Sequence, residues 1–195
     1  MNAPPARHQR QRQQKLSRFL SLLLRHRPTR FPIRLDDEGF ADLGEVLEMV
    51  QALPNFRWVT LDDIEAVVEQ SGPRRFEIVA AGGRTRRIRA LYGHSAVRPT
   101  YDPVTPPDTL YYGVDATEVE SVRREGLRPA DRHYLSLVPD PDLARSAALR
   151  YAPDPVVLAI DAAAAFTAGR AFYRPTETVY LCDHVPPEYI TTESV

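Results

Sequence analysis

Residues 74–95, RRFEIVAAGGRTRRIRALYGHS, change the hydrophobic period of the chain and thereby decide its fold class. Phe76 and Ile78 alternate with Arg75 and Glu77, Gly82-Gly83 supplies a turn, and Ile88 and Leu91 lie on the return, which predicts a β-hairpin. Six arginines fall between Arg74 and Arg89 against one acid, Glu77. Strand alternation places Arg87 and Arg89 on one face. Two explanations stand side by side: solvated charges that discourage edge-to-edge pairing, or an anion site. Gly93, His94 and Ser95 follow the second strand, where a glycine lets backbone N–H groups approach an anion and the imidazole and hydroxyl add donors.

Upstream the period is helical. From Lys15, the residues Leu16, Phe19, Leu20 and Leu23 follow i, i+3, i+4, i+7 spacing, and Pro28 forbids continuation, so Arg25 and His26 occupy the last turn. Cations there complement the helix dipole, worth under about 1 kcal/mol, or they hold a ligand. A second helix is expected after Gly39, N-capped by Asp42, with Leu43, Val46, Leu47 and Val50 on one face; a third starts near Thr60 or Asp62. Residues 1–14 are polar and rich in Gln and Arg, a composition that predicts a disordered basic tail. Helices followed by a basic hairpin predict a winged-helix-like lobe over residues 15–98.

Downstream, the proline-rich residues 99–108 read as a linker. Residues 109–195 then alternate strand and helix signals: TLYYGV, ending in Tyr112-Gly113; TEVESVRREGL, closed by Gly126; RHYLSLV, opened by Arg132-His133; PDLARSAALRYA; DPVVLAIDA; AFYR; and TVYLCDHV. The fold class expected is therefore α+β in two lobes.

Composition narrows the functions. The net charge of −1 conceals +6 over residues 1–100 (17 basic, 11 acidic) and −7 over residues 101–195 (8 basic, 15 acidic). The first half could attract a polyanion. Its basic residues are all arginine except Lys15, and guanidinium forks suit bidentate phosphate contacts. One cysteine, Cys182, permits no internal disulfide, and no Cys/His cluster suggests a metal. No apolar run reaches bilayer length and none resembles a secretory signal, so a cytoplasmic protein without membrane contact is expected. Walker A, GxGxxG, HExxH and nucleophile-elbow patterns are absent.

From about Lys15 to Ile190, the ordered stretches LSRFLSLLLRHRP, LDDEGFADLGEVL, RFEIV, IRALYGHS, LYYG, REGL, VVLAIDAAAA, FYR and DHVPPEYI resemble the NAD-dependent RNA 2′-phosphotransferase family. The resemblance implies a C-terminal lobe like the NAD-binding fold of ADP-ribosyltransferases beside the winged-helix-like one. It also implies an enzyme that moves an internal RNA 2′-phosphate, as on spliced tRNA, to NAD through an ADP-ribosylated RNA intermediate. The products would be 2′-hydroxyl RNA, nicotinamide and ADP-ribose 1″,2″-cyclic phosphate.

The family's essential Arg-His-Arg-Arg group falls on Arg25, His26, Arg89 and Arg132, with Arg75, His94 and Ser95 at phosphate-holding positions and Tyr112, Gly113 and Ser136 in the NAD-binding part. His26 would donate to the phosphate or assist the leaving ribose oxygen. The expected partners are RNA and NAD, with no metal, for a monomer. The family usually has LYHGT and HVHLS where this chain has LYYGV and YLSLV, so Tyr112 and Ser136 replace histidines and Val114 a threonine; Glu177-Thr178 stand where Asn-Gly is usual. Two other outcomes fit the same fold: an ADP-ribosyltransferase that caps terminal RNA or DNA phosphates, and a non-catalytic RNA-binding relative with a decayed NAD site.

Overall fold

The structure, a computed structural model, describes residues 6–26, 31–69, 74–83 and 85–192. It is α+β, with short helices and three three-stranded antiparallel sheets among the described residues. Two compact units divide at Thr100/Tyr101.

In the first unit, α1 (Ala6–Ser21) runs into a π-helical turn, Leu22–His26. The helix therefore begins well before Lys15, where the sequence leads one to expect a disordered tail over residues 1–14; residues 1–5 lie outside the described residues. Two physical reasons account for it. Ala, Arg, Gln and Lys are strong helix formers, and the Arg12 guanidinium lies 4.6 Å from the Trp58 ring centroid, a contact worth about 0.5–1 kcal/mol at a surface. Leu16, Leu20, Leu23 and Leu24 are completely buried. Each such side chain contributes about 1.5–3 kcal/mol, so this stripe anchors the helix whose end carries Arg25 and His26.

The strand β1 (Ala41–Asp42) leads into α2 (Leu43–Ala52), and the Asp42 carboxylate accepts from Gly44 N and Glu45 N as the expected cap. The inward face of α2 is Leu43, Val46, Met49 and Val50, with Leu47 half-buried. Helix α3 (Leu61–Glu69) buries Ile64 and Val67. The hairpin forms as β2 (Phe76–Ala80) and β3 (Arg86–Ala90), turning through Gly82-Gly83, and the sheet order is β1-β3-β2. Phe76, Ile88 and Ala90 join the leucine core, while Glu77, Arg87 and Arg89 take the opposite face of the sheet.

The second unit starts with residues that the prolines suggest are a linker. Tyr101 instead packs on Tyr134 and Tyr173, with centroids 5.8 and 6.1 Å away, and Val104 N donates to Phe172 O at 2.8 Å. Tyrosine and valine have area to bury, and the prolines of an extended segment leave few N–H donors to satisfy. Then come β4 (Thr109–Asp115), α4 (Val119–Glu125), β5 (Leu135–Leu137), α5 (Pro141–Ala148) and β6 (Pro155–Asp161). They are followed by α6 (Ala162–Thr167), β7 (Tyr173–Thr176), β8 (Val179–Cys182) and β9 (Ile190–Thr192). The sheets are β4-β6-β9 and β5-β8-β7.

Three local expectations shift. Tyr112-Gly113 sit inside β4 and not at its end. Arg132-His133 precede β5, which starts only at Leu135. The helix α6, capped by Asp161 through Ala164 N, follows β6 and takes Ala162, the last residue of the stretch DPVVLAIDA that reads as strand. An Asp before four alanines is itself a helix-start signal.

Every residue of β8 is buried. Burial pushes the Cys182 thiol up to about 11, outweighing a lesser downward pull from the His184 backbone, and the thiol lies 3.0 Å from the His184 carbonyl, to which it can donate. At pH 8 the native thiol is expected to react with a maleimide about a hundredfold or more slowly than the unfolded chain, because thiolate is the nucleophile. A native rate equal to that in denaturant would contradict this packing. No helix among the described residues is long and apolar enough to cross a membrane.

Candidate phosphate and nucleotide sites

In the first unit the chain after β3 returns to the end of the π turn. Ser95 N donates to the Arg25 carbonyl at 2.9 Å, Ser95 Oγ lies 3.3 Å from the same oxygen, and His26 Nδ1 lies 3.2 Å from Ser95 Oγ. The hydroxyl has one proton. Given to the Arg25 carbonyl, it leaves Oγ to accept from His26 Nδ1–H. The helix end thus has an unpaired carbonyl satisfied from another element, and the same contact orients the imidazole. Arg25 is only 8% exposed. Its guanidinium lies 4.6 Å from the Tyr92 centroid and 5.8 Å from that of Phe76.

Arg89 is held from three sides. Its Nε donates to Glu77 Oε1, its cross-strand partner, at 2.5 Å; its Nη1 donates to the Glu38 carbonyl at 3.2 Å; and its guanidinium lies 4.4 Å from the Phe40 centroid. Nη2 makes no hydrogen bond among the described residues, so the fork has a fixed direction and an available edge. The turn that holds Arg89 also meets His94: a Cβ on Gly39 would stand 2.8 Å from His94 Nε2. His94 is 3% exposed. Arg89, the 38–40 turn, His94, Ser95, His26 and Arg25 therefore form one contiguous cluster.

Arg75 is directed elsewhere, donating through Nη1 to Ser17 Oγ on α1 at 3.4 Å, although Leu91 N donates to its carbonyl at 2.9 Å.

Two other hairpin arginines, Arg86 and Arg87, are neutralised from outside the hairpin. Arg86 pairs with Glu65 of α3 at 2.5 Å, and Arg87 pairs with Asp36 while lying 4.9 Å from the Phe40 centroid. The Asp36 carboxyl is pulled below the usual carboxylate range: burial opposes the shift, but the Arg87 contact and the Phe40 and Glu38 amides outweigh it. Sequence reasoning missed Asp36, Glu38, Phe40 and Glu65. The contiguity of LDDEGF offered a signal for the first three, and nothing local pointed to Glu65.

The second unit gathers another set. Beyond one bridge, Tyr111 with Val138, β4 and β5 separate into different sheets, leaving the edges that carry Gly113 and Ser136 facing without a ladder bond among the described residues. Ser136 Oγ is buried there with no hydrogen-bond partner, a cost of about 1–3 kcal/mol unless something fills it. Gly113 lies directly under α5: a Cβ would stand 2.6 Å from Ala148 Cβ and 2.8 Å from the Ala144 carbonyl.

Tyr151 Oη donates to the Gly113 carbonyl at 2.7 Å. Burial, with the neighbouring Tyr112, pushes the Tyr151 phenol up to about 12, and burial also raises that of Tyr112. The positive charge of Arg132 acts on both phenols in the lowering sense and the carboxylate of Glu118 in the raising sense; the Arg132 side chain is 41% exposed and lies 3.9 Å from Asp131. Tyr151 went unrecognised in the sequence because a tyrosine after a helix carries no pattern. The orphaned Ser136 hydroxyl and the tyrosine phenols are the groups of this unit that could hold a polar ligand.

A family model described as RNA 2′-phosphotransferase, Tpt1/KptA family, matches residues 11–184. The chain is 39% identical over 176 residues to a probable RNA 2′-phosphotransferase of Hahella chejuensis, covering 90% of this chain and 91% of the relative. It is 33% identical over 180 residues to one of Acetivibrio thermocellus (92% and 96%) and 38% over 181 residues to one of Agrobacterium fabrum (91% and 93%), both also described as probable RNA 2′-phosphotransferases.

Proposed function

Because the chain belongs to the RNA 2′-phosphotransferase, Tpt1/KptA family, we propose that it transfers an internal RNA 2′-phosphate to NAD, with a winged-helix-like first unit and an ADP-ribosyltransferase-like second unit. A phosphate oxygen attacks C1″ of the nicotinamide ribose, the C1″–N bond breaks, and nicotinamide leaves with the bonding pair. The ribose 2″-oxygen then attacks phosphorus, the bond from phosphorus to the RNA 2′-oxygen breaks, and the 2″ proton ends on that oxygen. RNA with a 2′-hydroxyl and ADP-ribose 1″,2″-cyclic phosphate result.

The attacking phosphate is already an anion and needs no base. What it needs is fixed positive charge against the pyrophosphate it approaches. Arg25 and Arg89 are the proposed clamp, Arg132 the third cation, and His94 and Ser95 supports. His26 Nε2 donates to the phosphate or protonates the departing 2′-oxygen. Arg75 is assigned to RNA phosphate. Tyr112, Gly113 and Ser136 would hold NAD.

The observation that carries this reading is the joining of Arg25, His26, Ser95, His94 and Arg89 in one cluster. Incubation with NAD and an oligonucleotide bearing one internal 2′-phosphate tests it, and free 2′-hydroxyl RNA plus cyclic phosphate is the expected result. A persistent ADP-ribosyl adduct would instead identify a phosphate-capping transferase, and RNA binding without nicotinamide release a non-catalytic relative.

A further inference from the structure

We propose that the outward face of α1 is a docking surface for the sugar–phosphate backbone of RNA, outside the residues assigned to phosphotransfer; this rests on RNA being the substrate. The sequence of α1, ARHQRQRQQKLSRFLS, contains no acid. Arg10, Gln14 and Arg18 recur every four residues, which aligns them on one ridge, and Lys15 and His8 flank it. Arg10, Lys15 and Arg18 are exposed and make no ion pair among the described residues.

The contrast with β3 supports this surface. All three β3 arginines face carboxylates, Arg86 that of Glu65, Arg87 that of Asp36, and Arg89 those of Glu77 and Glu38, so the arginines of that strand add little net positive charge to the surface. Arg34, Arg57 and Arg74 are exposed singly without ion pairs among the described residues, whereas α1 gathers Arg10, Lys15 and Arg18 on one helix with no acid, and the Arg12–Trp58 contact holds that helix against the body of the unit.

The apolar stripe of α1 excludes a lipid surface as the occupant. Membrane-lying helices insert that stripe between headgroups, whereas Leu16 and Leu20 are fully buried in the core. The exposed arc holds only cations, glutamines and a histidine. Such a face suits a polyanion with many equivalent acceptors, and RNA fits that description.

The test uses the full chain, no NAD, and a fluorescent single-stranded RNA of about twenty nucleotides lacking any 2′-phosphate, titrated across salt concentration. Replacing Arg10, Lys15 and Arg18 together by glutamine is expected to lower the slope of log affinity against log salt by about 2, since each single-strand phosphate contact contributes about 0.7. Lysine at positions 10 and 18 should preserve the slope, and Arg86→Gln should leave it unchanged. Should circular dichroism show α1 lost in the triple variant, Arg10→Gln alone is expected to lower the slope by about 0.7.

An unchanged slope in the glutamine variants overturns the proposal. So does an equal loss from Arg86→Gln, or preferential loss of binding to phosphatidylserine vesicles or polyglutamate instead of RNA. The two readings fail separately: a slope change without phosphotransfer removes only the enzymatic one, and phosphotransfer without a slope change removes only the docking surface.

Discussion

Arg89→Ala is expected to lower turnover by about three orders of magnitude or more, the usual cost of deleting a preorganised cation from a phosphoryl-transfer site, while the fold persists. The side chain is 22% exposed and lies outside the leucine core. Its loss removes the Glu77 and Glu38 contacts and leaves Glu77 to water, a cost of about 1 kcal/mol or less for a partly exposed pair. The catalytic loss arises because Glu77, the Glu38 carbonyl and Phe40 aim the fork before substrate arrives. Arg89→Lys keeps the charge without the fork, so its activity should lie nearer to alanine than to wild type. Glu77→Gln tests the aiming: the charge of Arg89 remains, and kcat should fall more than KM rises. Retention of a tenth of wild-type turnover by Arg89→Ala, with melting unchanged, would remove Arg89 from the chemistry.

Gly126→Ala is expected to destabilise the second unit by about 3–5 kcal/mol, the range in which several named penalties combine. Gly126 closes α4 at φ 78° and ψ −172°, a region essentially confined to glycine. An added Cβ would stand 2.3 Å from the Val185 carbonyl and 3.1 Å from Pro186 Cα. Neither atom can move freely, because Leu127 and Val185 exchange backbone hydrogen bonds of 2.8 and 3.0 Å. Relief of the clash means breaking that bridge. Gly169→Ala is the control: φ there is 92°, but nothing lies within 4 Å of the added carbon, so only conformational strain of about 1–3 kcal/mol applies. Thermal melting of both variants, with exchange of the Leu127 and Val185 amides, measures the difference. Equal melting temperatures would show that the 126–127 turn yields without cost.

Much of the site's scaffold was legible in one dimension because its causes are local. The leucine stripe of α1, the Asp42 cap, the glycine turn and the strand alternation each operate over a few residues. The proline-rich stretch misled because prolines report a constrained backbone and say nothing of whether Tyr101 and Val104 find partners. Residues 6–14 misled for a related reason: a polar composition describes what a segment cannot bury, and α1 depends on leucines supplied further along the same helix. In the second unit, Tyr112, Gly113 and Ser136 were singled out through resemblance, but Tyr151 was found only when the chain folded back to the Gly113 carbonyl.

The sequence by itself determined the α+β class, the leucine stripe, the Asp42 cap, the hairpin and the family, and it named Arg25, His26, Arg89 and Arg132 as the group to watch. Only the tertiary structure decided where positive charge remains. The hairpin contains one acid of its own, yet Asp36 and Glu38 stand 51 residues from Arg87 and Arg89, and Glu65 stands 21 from Arg86. Coulomb energy depends on separation in space, and separation along the chain carries almost no information about it. Composition therefore pointed to the hairpin as the cationic surface, while folding paired the three arginines of β3 with carboxylates, fixed the direction of Arg89, and left Arg10, Lys15 and Arg18 exposed on α1 without ion pairs among the described residues.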